Sequence, residues 1–263
     1  MSNKKEWALI LGASSGFGEA TALELAGRGM NIIGVHLDRR NTMDNVERII
    51  NEIKSKGVEA LFFNINAADE EKRNEVLAEL KEKLSNEGST IKAMVHSLAF
   101  GSLKPFWSDT EDIITPAQMA MTMDVMASSL VYWVQGLMAN GLMTKGGRIF
   151  AMTSAGSEKV WSHYGAVSAA KAALESNCRQ LAFELAPLGI TVNAMMAGVT
   201  DTPALRKIPG NEKMIETALT GNPSGRLTTP EDVAKAISLF CDDRADFITG
   251  NTIRVDGGEF ITD

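Results

Sequence analysis

The stretch Gly12-Ala13-Ser14-Ser15-Gly16-Phe17-Gly18 decides the fold of this 263-residue chain. It ends the apolar run 7–12, which we predict to be a buried strand. It also opens the segment 18–28, in which alanine and leucine recur at helical spacing. A strand, a glycine turn and a helix in this order are typical of the first unit of a parallel α/β sheet.

The three glycines of this turn predict a phosphate site. Glycine lets the main chain turn tightly and approach a ligand closely, and the helix that follows offers free N–H groups and a positive dipole end. The spacing is Gly-x3-Gly-x-Gly, and a second predicted strand begins at residue 31. We therefore expect the turn to bind a dinucleotide pyrophosphate; a plain glycine turn is the alternative. The expected contacts are Gly12, Ser14, Ser15, Gly16, Phe17 and Gly18.

Strand-like and helix-like segments alternate along the rest of the chain. Further strands are predicted at 31–37, 58–65, 91–97, 147–153, 190–196 and 253–255. Helices are predicted at 42–56, 70–85, 105–140 (a long, broken region), 164–186 and 230–242. This order predicts one α/β domain over residues 1–263, a Rossmann fold whose doubly wound, parallel seven-stranded sheet carries helices on both faces. The stretch 198–225, rich in Gly, Pro, Thr and Asn, is predicted to be a mobile substrate loop.

Composition narrows the possible partners. The net charge of −7 and the pI of about 5.2 disfavour non-specific binding to nucleic acid or acidic membranes. The two cysteines, Cys178 and Cys241, have no metal-ligand spacing around them, so we expect buried thiols and no metal. Low cysteine usage, no signal-like N-terminus and no apolar run of about 18 residues predict a cytoplasmic protein without a membrane span.

The glycine spacing, the order of elements and Lys171 together resemble the short-chain dehydrogenase/reductase family over essentially the whole chain. The usual Tyr-x3-Lys signature of that family is absent, because Val167 stands four residues before Lys171. Tyr164 stands seven residues before it instead. This Tyr-x6-Lys spacing resembles the enoyl-acyl-carrier-protein reductases of the FabI and FabL types. Seven residues span about two helical turns, so both side chains can face the cofactor.

Other departures from the usual pattern favour the same branch. The stretch Val95 to Gly101 resembles the serine-containing segment of FabI-type enzymes, and Met126 stands where the family usually has a catalytic asparagine. The segment 193–202 resembles the loop that contacts the nicotinamide carboxamide, and the run from Asp201 to Arg226 is most similar to the FabL type.

The resemblance implies roles for individual residues. Tyr164 is expected to donate a hydrogen bond or a proton to an enolate oxygen, and Lys171 to hold the nicotinamide ribose and lower the pKa of the tyrosine. Ser154 is expected to position the substrate. Trp161 and His163 have open roles. Further cofactor contacts are implied at Asn66, Ala67, Ser97, Leu98, Ala99, Lys171, Gly198, Thr200 and Thr202.

The end of the second strand bears on the choice of nucleotide. An acidic residue there usually binds the ribose 2′-hydroxyl of NAD, but His36 occupies that place, and Arg39 and Arg40 follow. Arginine suits a 2′-phosphate, whereas Asp38 favours NADH. We expect His36, Arg39 and Arg40 to contact NADPH; NADH, with the arginines in a solvated turn, is the alternative.

The sequence thus predicts NAD(P)H-dependent reduction of the carbon–carbon double bond of a trans-2-enoyl thioester, carried on acyl carrier protein, in fatty acid biosynthesis. A carbonyl, hydroxysteroid or 3-oxoacyl reductase is the first alternative, and a nucleotide-binding regulator without catalysis is the second. The resemblance also implies a homotetramer that packs the regions 105–140 and 162–186 against their symmetry mates.

Overall fold

The computed structural model describes residues 5–262, and its centre is a parallel sheet of seven strands in the order β3-β2-β1-β4-β5-β6-β7. The strands are β1 (Glu6–Leu11), β2 (Asn31–His36), β3 (Ala60–Asn64), β4 (Thr90–His96), β5 (Arg148–Ser154), β6 (Thr191–Ala197) and β7 (Thr252–Val255). The predicted doubly wound α/β fold is confirmed.

Within residues 5–262, eight α-helices connect these strands. They are α1 (Gly16–Gly27), α2 (Met43–Ser55), α3 (Glu70–Glu87), α4 (Pro116–Met123), α5 (Ser129–Ala139), α6 (Gly165–Leu185), α7 (Asn211–Gly221) and α8 (Pro230–Phe240). None of the helices within residues 5–262 combines the length and the apolar character that a transmembrane segment needs.

The central strands are apolar on both faces because helices cover both. In β1, Leu9 and Leu11 belong to a core shared with α3, α5 and α6, whereas Ala8 and Ile10 belong to a second core shared with α1, α2 and α8. Successive side chains of a strand point to opposite faces, so one apolar run supplies both cores. The order of the strands changes direction between β1 and β4: β2 and β3 lie on one side of this pair, and β5, β6 and β7 lie on the other. Sheets of this kind bind ligands in the crevice at the carboxyl ends of the strands at this point.

The prediction of a helical region at 105–140 is wrong for the first part of that range. Residues 99–115 form no helix; Ser108 makes a side-chain turn by accepting hydrogen bonds from the N–H groups of Thr110 and Glu111. The helix starts only at Pro116, capped by Thr115, since proline suits the first helical position. A π-helical segment, Asp124–Ser128, separates α4 from α5.

The stretch 198–225 is more regular than predicted, because it contains a short 3₁₀ turn, Leu205–Lys207, and the helix α7. Gly210 adopts a left-handed conformation just before α7, and the residues that follow are good helix formers. Glycines and prolines on either side of α7 are typical of a loop, so the sequence pattern does not predict this helix.

Candidate active site

The glycine turn forms a concave surface of main chain between β1 and α1. A Cβ atom on Gly12 would overlap the carbonyl oxygen of Ser97, and one on Gly18 would overlap the carbonyl oxygen of Gly12, so neither position has room for a side chain. The N-cap residue of α1, Ser15, makes no side-chain capping hydrogen bond, which leaves the first N–H groups of the helix free for an anion. This surface fits a dinucleotide pyrophosphate.

At the end of β2, a buried histidine contacts an acidic side chain. His36 does not present its ring to solvent; it is buried, and its Nδ1 lies 3.0 Å from Oδ2 of Asp38. Burial opposes ionisation of Asp38, but hydrogen bonds with Ser14 and His36, among others, lower its pKa overall. The carboxylate of Asp38 therefore lies beside the glycine turn.

Arg39 and Arg40 follow on the exposed surface. Neither guanidinium forms a hydrogen bond or an ion pair with any of residues 5–262. Both therefore remain free to meet a phosphate that is held near the end of β2.

The last residues of β5 meet the start of α6. The Oγ of Ser154 and the hydroxyl of Tyr164 are 3.4 Å apart, and the Nζ of Lys171 donates to the carbonyl oxygen of Met152 over 2.6 Å. Tyr164 is the N-cap of α6, and Lys171 lies two turns further on the same side, as their spacing predicts. The indole of Trp161 packs edge-on against the tyrosine ring, with 5.5 Å between the ring centroids.

Burial sets the electrostatics of these groups. It raises the pKa of Tyr164, against the effect of the hydrogen bond with Ser154, so the phenol is neutral at physiological pH. It lowers the pKa of Lys171 from 10.5 to about 8. His96, at the end of β4, is fully buried with its Nε2 2.8 Å from the Oγ of Ser129, and burial lowers its pKa to about 3.

Ser154, Trp161, Tyr164 and Lys171 line one cleft at the carboxyl edge of the sheet. The predicted site residues that lie in its wall are Phe17, Ser97, Leu98, Ala99, Ser154, Tyr164, Lys171, Gly198, Thr200 and Thr202. The methyl group of Thr202 also lies beside Gly16, and it therefore joins the cleft to the glycine turn.

Other predicted residues lie outside the wall of the cleft. Asn66 accepts a hydrogen bond from the N–H of Ala68, and the carbonyl oxygen of Ala67 accepts one from the indole of Trp133. His163 places its Nε2 2.8 Å from a carboxylate oxygen of Glu111, in the segment that follows β4. Of the residues with open roles, Trp161 lines the cleft and His163 does not.

Sequence reasoning missed the apolar part of the wall. Leu103 comes from the segment after β4. The 198–225 stretch contributes the residue before the 3₁₀ turn, the turn itself, Ile208 and α7. These residues are Ala204, Leu205, Ile208 and Met214. Met126 and Val167 also face the cleft, at the two positions where the usual family signature has polar catalytic groups. Of the wall residues in this paragraph, the sequence indicates only Met126 and Val167, because they stand in place of the usual asparagine and tyrosine.

The parallel sheet, the glycine turn after β1 and the lysine of α6 beside the carboxyl edge define a short-chain dehydrogenase/reductase, an NAD(P)-dependent oxidoreductase. Within this class, the family model described as Enoyl-(Acyl carrier protein) reductase matches residues 12–259. The chain belongs to that family.

Three relatives show the range of the likeness. The chain is 33% identical over 189 residues to the enoyl-[acyl-carrier-protein] reductase [NADH] FabI of Aquifex aeolicus, covering 72% of this chain and 69% of the relative. The crystal structure of the Aquifex aeolicus VF5 enzyme superposes with a TM-score of 0.84 at 27% identity, over 98% of this chain and 97% of that one.

The other two relatives match nearly the whole chain. The 1-cyclohexenylcarbonyl-CoA reductase of Streptomyces collinus is 30% identical, covering 97% of this chain and 87% of the relative. The 3-oxoacyl-[acyl-carrier-protein] reductase FabG of Staphylococcus aureus is 29% identical, over 97% of this chain and 98% of the relative.

Proposed function

We propose that the protein reduces the carbon–carbon double bond of a trans-2-enoyl thioester. One observation carries this proposal: the phenol in the cleft comes from Tyr164, seven residues before Lys171, while the position four residues before Lys171 is Val167, which holds no proton. The proton donor is thus displaced along α6 relative to the arrangement usual for ketone reduction.

The displacement suits the charge that develops during enoyl reduction. The bound reduced nicotinamide supplies the hydride. When the β-carbon of the enoyl group accepts it, negative charge develops on the thioester oxygen, which is two atoms further along than the oxygen of a ketone reduced at that carbon. The neutral hydroxyl of Tyr164 would donate a proton to that oxygen, and the resulting enol would gain a proton from water at its α-carbon and lose the oxygen proton, which regenerates the thioester and the phenol. Ser154 would orient the thioester, and Lys171 would hold the ribose. Met126, at the place of the usual asparagine, supplies no polar group for a water-based proton relay.

The lining of the cleft supports a fatty acyl substrate. Leu103, Leu205, Ile208 and Met214 form an apolar wall, and a flexible methionine adapts to a chain of methylene groups. We propose acyl carrier protein as the carrier, in fatty acid biosynthesis, in line with the name of the matching family. The name of the Streptomyces collinus relative denotes a CoA thioester with a conjugated double bond, which supports the reaction and offers CoA as the other carrier.

We propose NADPH as the hydride donor, because Arg39 and Arg40 are free to bind a 2′-phosphate in the way that arginine binds phosphate oxygens. The carboxylate of Asp38 beside the glycine turn favours NADH, and the Aquifex aeolicus relative is named for NADH. Dissociation constants of both nucleotides decide between them. An Arg39→Ala, Arg40→Ala double variant should weaken NADPH binding and leave NADH binding unchanged; equal effects on both would contradict the proposed phosphate contact.

We further propose that the protein is a cytoplasmic homotetramer that buries the outer faces of α4, α5 and α6, and that the stretch 198–225 moves when substrate enters. Phe183 of α6 is largely exposed in the single chain, which supports such an interface. Light scattering of the purified protein tests the tetramer.

A 3-oxoacyl reductase is the second candidate, because FabG matches the chain over 97% of its length. In that reaction the hydroxyl groups of Ser154 and Tyr164 would donate to the oxygen of a ketone instead.

Oxidation of NADPH and of NADH, followed at 340 nm with crotonyl and longer enoyl thioesters and with the matching 3-oxoacyl thioesters, separates the two candidates. Turnover of the enoyl series is expected. Turnover of only the 3-oxoacyl series would favour the second candidate.

A further inference from the structure

Three consecutive residues at the end of β5 form hydrogen bonds with Tyr164, the N-cap of α6, and with two side chains of α6. The carbonyl oxygen of Met152 accepts from Lys171, the hydroxyl of Thr153 donates to Glu175, and Ser154 contacts Tyr164. Two of these pairs belong to the site described above. The third, a hydrogen bond of 2.6 Å between Thr153 Oγ1 and Glu175 Oε1, has no place in the proposed reaction.

Glu175 is an unusual residue to find at this place. Its exposed fraction is 8%, and that of Lys171, one helical turn earlier, is 5%. Carboxylates and ammonium groups are almost never buried this far unless they are paired, since each loses its hydration. An acidic side chain one turn from a buried lysine offsets part of that loss.

We propose that Glu175, held in place by Thr153, is the buried counter-charge that keeps Lys171 a cation in the active site. Glu175 does not itself line the cleft; it contacts Thr153, which does, and none of the reacting groups, and it therefore acts as a positioning residue through Lys171. The effect of Glu175 on the charge of Lys171 does not depend on the proposed function. The consequence for catalysis does rest on it, since there the charged lysine binds the ribose and supports Tyr164.

The other titratable groups around Lys171 are neutral at the pH where this lysine titrates. On β4, burial lowers the pKa of His96 to about 3, so its ring is uncharged. On α6, burial raises the pKa of the Cys178 thiol to about 12, and Tyr164 likewise has a raised pKa.

The remaining elements packed against α6 add little charge beside Lys171. Asp124 of the π-helical segment accepts a hydrogen bond from the hydroxyl of Tyr132, and α4 and β6 carry no titratable side chain. Arg148 lies at the opposite end of β5. Burial is the largest cause of the lowered pKa of Lys171, and Cys178 and Glu175 are the groups that can oppose it. Cys178 is an uncharged thiol near pH 8, because burial raises its pKa to about 12, so Glu175 is the counter-charge at the pH where Lys171 titrates.

NMR titration of the protein labelled with ¹³C at lysine Cε reads the charge of Lys171 directly, without substrate or nucleotide. The signal is assigned by its loss in Lys171→Arg. The wild-type midpoint should lie near pH 8. In Glu175→Gln it should fall by about one pH unit or more, because the lysine loses its counter-charge. Thr153→Val keeps the side-chain shape and should shift the midpoint less, in the same direction.

Two variants serve as controls. Glu184→Gln removes an exposed carboxylate from the same helix, and Cys178→Ala removes the buried thiol; neither should move the midpoint. Thermal melting verifies that each variant is folded. A Glu175→Gln midpoint equal to that of the wild type overturns the proposal, as does an equal shift in the Glu184→Gln control. If Glu175→Gln does not fold, an unshifted Thr153→Val midpoint overturns it.

The titration also separates this proposal from the proposed reaction. If the protein did not reduce enoyl thioesters, a lower Lys171 midpoint in Glu175→Gln would still support the role of Glu175. Conversely, an unshifted midpoint in an active enoyl reductase would reject the role of Glu175 alone.

Discussion

Replacing Tyr164 by phenylalanine removes one hydroxyl group and leaves the buried ring in place. The exposed fraction of Tyr164 is 8%, and its ring packs edge-on against Trp161. The only hydrogen bond that the hydroxyl forms with residues 5–262 is the one with Ser154, at 3.4 Å, which is long for a pair of hydroxyl groups. Its loss should change the free energy of unfolding by less than about 1 kcal/mol.

The effect on catalysis should be far larger. A neutral phenol that donates to the developing oxyanion contributes a factor of about 10² to 10³ in kcat, or about 3 to 4 kcal/mol of transition-state stabilisation. Steady-state kinetics with an enoyl thioester measures kcat, and fluorescence titration measures the Kd for NADPH, which should not change.

The chain offers a matched control, because it contains two tyrosines. The other one, Tyr132, donates to Asp124 over 3.0 Å and does not line the cleft, so Tyr132→Phe should leave kcat nearly unaltered. If the two variants had equal kcat values, or if Tyr164→Phe kept full activity, Tyr164 would have no part in the proton transfer.

Further changes test the turn, the buried lysine and the core. Gly18→Ala places a methyl group against the carbonyl oxygen of Gly12 and should abolish NADPH binding; an unchanged Kd would refute the assigned pyrophosphate site. Burial lowers the pKa of Lys171 to about 8, so above that pH the unfolded chain binds more protons than the folded one, and stability should rise with pH. Between pH 8 and 9 urea unfolding should show the wild type gaining about 1 kcal/mol relative to Lys171→Met, and parallel curves would contradict this. Trp133→Phe leaves the buried carbonyl oxygen of Ala67 without its donor and should cost about 2 kcal/mol or more in urea unfolding; a negligible cost would mean that the indole hydrogen bond is dispensable.

The sequence predicts the sheet and the glycine turn because both are encoded locally. Each central strand is an apolar run between turn residues, and the spacing of Gly12, Gly16 and Gly18 is readable without any tertiary contact. The same holds for Tyr164 and Lys171, since two positions seven residues apart on one helix share a face in any fold.

The remaining features depend on contacts between distant segments. The helical pattern before Pro116 is overridden by the side-chain turn at Ser108, and α7 lies between glycines and prolines that indicate a loop. Glu175 looks like an ordinary helix-surface acid until Thr153 of β5 is brought against it. Burial of His36 against Asp38 likewise follows from the packing of β2.

The most direct measurement locates the hydride in the product. Reduction of a trans-2-enoyl thioester with NADPH carrying deuterium at C4 of the nicotinamide should give a saturated acyl group with deuterium at C3, read by mass spectrometry and NMR. Absence of deuterium from the acyl chain, together with deuterium at the carbinol carbon when a 3-oxoacyl thioester is supplied, would contradict the assignment of this cleft to enoyl reduction.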